Sequence, residues 1–383
     1  MLNEQNKLII SGAGTASSPS VSRNASMPDN ADSGASLFPE DSLYIEIKGR
    51  EGTQTVFRKK VNSLEDVTEA ELQKIIGIAR RLPAAAFDAL FDPETIELML
   101  NPDGKIWQEK LGQDMRRLCT MRESEAEEFI RKIAGYLKKT VTSDTPILEG
   151  VLPLDDSRFE GLIPPVVSHP TFSIRRRAVK VFSLADYVDS GIMTGVQCEV
   201  IRKAVVDRQN IIIIGGTGTG KTTLGNAVLH EITLAEPNAR QVIIEDTAEL
   251  NSTAPNKVNL QTSPTCTMTD LVRATLRLRP DRIIIGEVRG AEAFDLIQAF
   301  NTGHPGLATL HANDCVSGLR RLKSLISQHP FAPRDIEPDI ALAVNVMVNI
   351  IRSGKERRIR EIARIKEYDP NQTKNNGYDL ELL

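Results

Sequence analysis

The chain has 383 residues, 40% of them hydrophobic, and 47 basic against 51 acidic side chains for a formal net charge of −4. That length and apolar content suit about two cored domains, and the slightly acidic balance excludes a globally polycationic nucleic-acid binder. No apolar run reaches ~18 residues, so no membrane-spanning helix is expected.

The N-terminus also lacks the charged-then-apolar order of a signal peptide. Cys119, Cys198, Cys266 and Cys315 are scattered without a C-x-x-C pair. They suggest neither a zinc site nor a disulfide framework, which fits a reducing cytoplasm.

Residues 1–40 are rich in Ser, Ala, Asn and Gly and read as a disordered tail. A small α+β domain is expected over 41–175. Its elements are a strand at 43–47, a helix over 68–82 carrying Leu72, Ile75, Ile76 and Ile78, and a hairpin of 96–100 with 105–109. The Asp103-Gly104 pair supplies the hairpin turn, and Trp107 is expected to anchor the core beside it. A helix follows over 124–137, with Ser124 and Glu127 at capping-box spacing. Two strands, 147–153 and 159–163, join through Asp155-Asp156-Ser157-Arg158.

The domain boundary is expected at 176–192, followed by a second domain over 193–383. Ser183 starts a short helix, and Thr194 caps a longer one to about Arg208. Then Ile211-Ile212-Ile213-Ile214 reads as a strand buried on both faces. Strands at 241–246, 282–287 and 306–311 alternate with helices at 269–278, 291–301 and 317–327, the pattern of a parallel sheet with covered faces. A strand over 344–350 turns at Ser353-Gly354 and returns antiparallel over 358–366.

The chemistry gathers at the carboxyl ends of these strands, where ligands of such sheets sit. Residues 215–222 fit G-x-x-x-x-G-K-[ST] between a strand and a helix. This is the phosphate-cradling loop in the context that confirms it. Lys221 is placed to reach the β- and γ-phosphates of a nucleotide and Thr222 to offer its hydroxyl to Mg²⁺. Glu287 follows a buried run, where a base facing the γ-phosphate belongs, while Gly286 stands where the usual second-motif aspartate is expected. Glu245 and Asp246 are adjacent, so on a strand their side chains diverge: one can face the metal while the other braces the loop. Asp246 can alternatively cap a helix. His311 ends a strand, either as a γ-phosphate sensor or as an ordinary satisfied polar group. Arg158 and the run Arg175-Arg176-Arg177 either cross to the phosphates or form a solvated basic linker.

Four segments in order, GGTGTGKT (215–222), IIEDTAEL (243–250), IIIGEVRG (283–290) and ATLHAND (308–314), resemble the type II/IV secretion-superfamily ATPases. In that family they are the phosphate loop, the aspartate box, an atypical second motif ending in glycine and glutamate, and the histidine box. The segments IELMLNPDGKIWQEKLG, LPLDDSRFEGLIPPVV and FSIRRRAVKVFSLADYV resemble the TrbB-type conjugative-transfer branch. The likeness spans about residues 60–368, with Arg177 standing where proline is expected.

The resemblance implies an α/β fold: a C-terminal RecA-like P-loop domain with a mainly parallel sheet, preceded by a small α+β domain. It implies ATP and Mg²⁺ as cofactors. Gly215, Gly216, Thr217, Gly218, Thr219, Gly220, Lys221, Thr222 and Thr223 would hold the nucleotide, with Arg158 and Arg175 as phosphate contacts and Thr222 and Asp246 at the metal. Glu287 would be the catalytic base, with Lys221, Glu245 and His311 as active-site members. It further implies a homo-hexameric cytoplasmic motor, bound to the inner membrane through components of a type IV secretion apparatus and driving pilus assembly or DNA transfer. A pilus-retraction or type II secretion motor competes with that reading, though type II assembly ATPases usually carry a tetracysteine module absent here. A DNA-stimulated RecA-like ATPase is disfavoured by the acidic balance and the lack of an aromatic-basic stripe. A non-hydrolysing scaffold is disfavoured by the intact Lys221, Thr222 and Glu287.

Overall fold

The computed structural model describes residues 7–11, 44–48, 54–57, 69–110, 113–176, 182–263, 265–354 and 356–383. The chain divides into two compact units, Met1–Arg177 and Ala178–Leu383. Within the stretch expected to be a disordered tail, strand β1 (Lys7–Ser11) pairs parallel with β2 (Tyr44–Lys48). β2 in turn pairs antiparallel with β3 (Gln54–Phe57). The rest of that stretch, residues 1–6 and 12–40, lies outside the described residues.

The first unit continues with α1 (Glu69–Ala79), α2 (Ala84–Phe91), β4 (Thr95–Leu100), β5 (Lys105–Lys110), β6 (Arg116–Thr120), α3 (Glu123–Tyr136), β7 (Ile147–Val151), β8 (Arg158–Leu162) and β9 (Thr171–Arg175). The sheet runs β6-β5-β4-β9-β8-β7, antiparallel throughout. Gly104, at φ +73°, makes the β4–β5 turn. The core forms where α3 lays Phe129 on Phe159 and Phe172 of β8 and β9, with ring centroids 5.9 and 5.2 Å apart.

Two local expectations need correction. Trp107 is only half-buried, and its neighbours Ile106 and Gln108 are the fully buried residues of β5. Alternation along a strand assigns residues to two faces but does not say which face is the core. Gln108 is tolerated inside because its amide donates to Thr95 Oγ1 at 2.6 Å. The α3 cap sits two residues earlier than expected. Arg122 is the N-cap residue, and its backbone N–H donates to Glu125 at 3.2 Å.

The second unit comprises α4 (Leu184–Asp189), α5 (Gly195–Val206), β10 (Ile211–Gly215), α6 (Lys221–Ala235), β11 (Gln241–Glu245), β12 (Lys257–Gln261), α7 (Met268–Thr275), β13 (Arg282–Val288), α8 (Glu292–Asn301), β14 (Gly306–His311), α9 (Cys315–Ile326), α10 (Glu337–Ala343), β15 (Val346–Ser353), β16 (Glu356–Tyr368) and β17 (Tyr378–Leu382). Ser183 and Thr194 cap α4 and α5 as their sequence positions suggest. The division after Arg177 falls inside the interval expected for a linker, yet Leu184 and Tyr187 from the same interval are buried in the second unit's core.

The sheet order is β12-β11-β13-β14-β10-β15-β16-β17. The first six strands pair in parallel and the last two antiparallel. Successive side chains of a strand point to opposite faces. Ile212 and Ile214 of β10 therefore pack with the α7–α10 side, and Ile211 and Ile213 with the α4–α6 side. Burial on both faces explains the unbroken isoleucine run. At the opposite edge of the sheet from the strand ends discussed next, Arg282 is 1% exposed. It is neutralised by Glu236 at 2.9 and 3.0 Å and also donates to Val205 O.

Candidate active site

Parallel pairing brings the carboxyl ends of β10, β11, β13 and β14 to one edge, with Gly215 of β10 directly beside His311 of β14. The loop after β10 bends through Gly218 (φ +69°) and Gly220 (φ +99°), a handedness that strains any residue with a Cβ. Gly220 is the N-cap of α6, so backbone N–H groups and the positive helix end face the loop's concavity. Lys221 is 8% exposed. Its ammonium donates to the carbonyls of Gly215 and Gly216 at 3.1 and 2.9 Å. The hydroxyl of Thr222 donates to Glu249 at 3.2 Å.

His311 stands between the loop and the carboxylate of β13. Its Nδ1 is 3.3 Å from Lys221 Nζ, and its Nε2 is 2.7 Å from Glu287 Oε1. With the ring neutral, Nδ1 accepts from the ammonium, while Nε2 stands at ion-pair distance from Glu287 Oε1 without forming a hydrogen bond to it. Partial burial, and then the Lys221 charge, hold the imidazole below its ordinary value of 6.5 against the pull of Glu287. Between its folded value and 6.5 the unfolded chain binds the proton more readily, so this group's contribution to stability is lost as pH falls through that window. An NMR titration of His311 is expected to give a midpoint below 6.5, and Lys221→Ala to move it upward. A midpoint unmoved by Lys221→Ala would show that the ammonium does not act on the ring.

The other oxygen of Glu287 is held by Arg289, with Nη2 2.5 Å away. Arg289 Nη1 also lies 3.6 Å from Asp246. Glu292 fixes the turn carrying Arg289, accepting from the backbone N–H groups of Arg289 and Gly290 at 2.6 and 2.7 Å.

Glu245 and Asp246 diverge, as adjacent strand residues must. Glu245 is 5% exposed and accepts the backbone N–H groups of Glu249 and Leu250 at 3.0 and 2.9 Å. It is therefore the residue that folds the following loop back and aims Glu249 at Thr222. Gly286 gives it room: a methyl group there would lie 2.8 Å from Glu245 Cγ. The aspartate missing from position 286 is thus excluded by the side chain of Glu245. Asp246 accepts from Thr262 at 3.0 Å and faces Arg289. The carboxylate on Thr222 is that of Glu249, which the sequence reading did not single out.

In the first unit, Arg158 and Arg175 are register partners on β8 and β9, so they share a face, and both are exposed. Arg176 points the other way. It lies 3.7 Å from Asp155 with its side chain 9% exposed and donates to Asp92 O. Burial pushes the Asp155 carboxyl up to about 6, against hydrogen bonds from Ser157 and the charge of Arg176. Of the adjacent arginines, Arg176 is committed to the fold and Arg175 is available. Arg177 lies outside the described residues.

These residues fit a nucleotide and its metal. The glycine-lined cradle, the helix start and Lys221 suit a phosphate chain. Thr222 and Glu249 present hard oxygen donors. No group of three or more metal-ligating His, Cys, Asp or Glu side chains stands together among the described residues. Mg²⁺ takes one or two protein oxygens and completes its shell with phosphate and water.

The type II/IV secretion system protein family model matches residues 111–378. The chain is 47% identical over 294 residues to the conjugal transfer protein TrbB of Rhizobium radiobacter, covering 76% of this chain and 89% of that one. It is 28% identical over 347 residues to the type IV secretion system protein VirB11 of Bartonella quintana, covering 78% of this chain and 95% of that one. The solved structure of the Legionella pneumophila ATPase DotB shares the fold, with a TM-score of 0.51 at 18% identity over 76% of this chain and 79% of that one. No helix among the described residues is long and apolar enough to cross a membrane. The chain belongs to the type II/IV secretion system protein family and, within it, resembles the TrbB-type conjugal transfer proteins.

Proposed function

We propose that this chain is an ATPase that powers conjugative transfer through a type IV secretion apparatus, with a RecA-like second unit as its catalytic core. The observation that carries the reading is the chain of contacts from Lys221 through His311 to Glu287. It joins the phosphate loop after β10, across β14, to a carboxylate near the end of the buried strand β13.

In this scheme Gly215 to Thr223 cradle the phosphates, and Lys221 leaves its carbonyl partners to meet the β- and γ-oxygens. Thr222, with Glu249 beside it, would hold a magnesium ion, whose charge would offset that of the phosphates. Asp246 is assigned to the support of Arg289 and of the loop rather than to the metal. Glu287 orients the attacking water and takes its proton. His311 reports the state of the phosphate end to Glu287, because it touches both Lys221 and the base. Arg158 and Arg175, exposed side by side, are the phosphate contacts assigned to the first unit. A homo-hexamer bound at the inner membrane through partner proteins is the assembly that fits the family.

The reading is tested in a donor strain lacking the gene. The wild-type chain is expected to restore plasmid transfer, and Glu287→Gln to leave transfer at the deletion background. Transfer restored equally by both would refute it. Adding DNA to the purified chain should leave ATP hydrolysis unchanged, and strong stimulation would favour direct action on nucleic acid.

A further inference from the structure

The hairpin of β15 and β16 carries an arginine pair that the scheme above does not use. Arg352 and Arg357 are register partners across the two antiparallel strands, so both side chains stand on one face. Both reach the phosphate loop. A methyl group at Gly218 would lie 3.7 Å from Arg352 Nη1, and one at Gly220 would lie 3.5 Å from Cδ and 3.7 Å from Nε of Arg357. Among the described residues no carboxylate pairs with either guanidinium; Arg352 donates only to the nearby carbonyl of Gly354, at 2.8 Å. Like charges directly opposite one another on a sheet are destabilising. An unneutralised pair beside an anion cradle is the arrangement expected where an anion supplies the missing countercharge. Arg158 and Arg175 repeat the motif in the first unit. Some arginines are neutralised, as Arg282 is by Glu236 and Arg273 by Asp295; what sets Arg352 and Arg357 apart is their place beside the phosphate loop.

We propose that Arg352 and Arg357 form a second phosphate clamp, closing on the nucleotide's phosphate chain from the β15–β16 side of the loop while Lys221 holds it from the β14 side. The assignment rests on the nucleotide-binding reading above. A guanidinium presents a planar fork of donors that suits phosphate oxygens. Arg357 is the nearer of the two to the residue that starts α6, and Arg352 covers the tip of the loop.

The test uses the full chain and two ligands, ATP and inorganic tripolyphosphate, each titrated with magnesium. Arg357→Ala is expected to weaken both by about tenfold, the loss of one charge-assisted hydrogen bond, and Arg352→Ala by a smaller factor. Arg357→Lys should recover part of the loss. Without ligand, Arg357→Ala should melt no lower than wild type, because removing one of two like charges relieves repulsion. A lowered ligand-free melting temperature with unchanged affinity would make the pair structural and overturn the proposal. Weakened ATP binding with unchanged tripolyphosphate binding would place Arg357 on the base and overturn the phosphate assignment. Unchanged affinity for both ligands, with lost binding to a DNA duplex or to anionic vesicles, would assign the pair to a polyanion and overturn it as well. If wild type binds neither ligand, the nucleotide-binding reading itself fails.

Discussion

Glu287→Gln is expected to keep nucleotide affinity within about threefold and to lower ATP turnover by about 10²–10⁴-fold, the range contributed by a positioned general base. The substitution is nearly isosteric. The amide can still accept from Arg289, so the side chain should keep its place at the end of β13. It cannot take a proton from water at neutral pH. Single-turnover hydrolysis, measured beside equilibrium binding, separates the two effects. Turnover within threefold of wild type would move the base to another carboxylate, with Glu249 the first candidate because it faces Thr222 at 3.2 Å.

The second large effect concerns Gly286. Inserting the aspartate that many phosphate-loop enzymes carry at this position is expected to damage this chain. The new Cβ would meet Glu245 Cγ at 2.8 Å, and a second carboxylate would be forced beside a buried one. Overpacking and an uncompensated charge together should cost about 2–4 kcal/mol, read from the urea midpoint of Gly286→Asp. Displacing Glu245 would also release the N–H groups of Glu249 and Leu250 and take Glu249 away from Thr222, so turnover should fall as well. Gly286→Ala should show the steric share alone, and combining Gly286→Asp with Glu245→Ala should recover part of the stability. A Gly286→Asp chain as stable and as active as wild type would contradict the account of why glycine stands there.

Much of the second unit was legible in the sequence because its signals are local. The isoleucine run, the glycine loop and the helix after it occupy consecutive residues, and β14 has the limits that its turn residues suggest. Glu287 and His311 were legible as strand-end polar residues for the same reason. Glu249 was not: its contact with Thr222 depends on a loop folded back by two hydrogen bonds to Glu245, and spacing along the chain does not encode that return. The contact of Arg289 with Glu287 is not legible in the sequence, because an exposed arginine after a strand looks like any solvated cation until its carboxylate partner is located. The Arg352–Arg357 pair is visible only once the register of β15 and β16 is known. In the first unit, Trp107 illustrates the ambiguity of alternation, and the α3 cap illustrates a sequence, ESEAEE, with several equivalent starting points. α2 is less legible because four of its eight residues are alanine, which mark neither a buried nor an exposed face.

The central claim is that residues 215–222 and Glu287 form one hydrolytic site. Phosphate release from ATP by the purified wild-type chain, followed with and without magnesium, tests it most directly. The expected result is release that saturates with ATP, requires magnesium and disappears in Lys221→Ala. A folded wild-type chain that releases no phosphate above the Lys221→Ala background would contradict it.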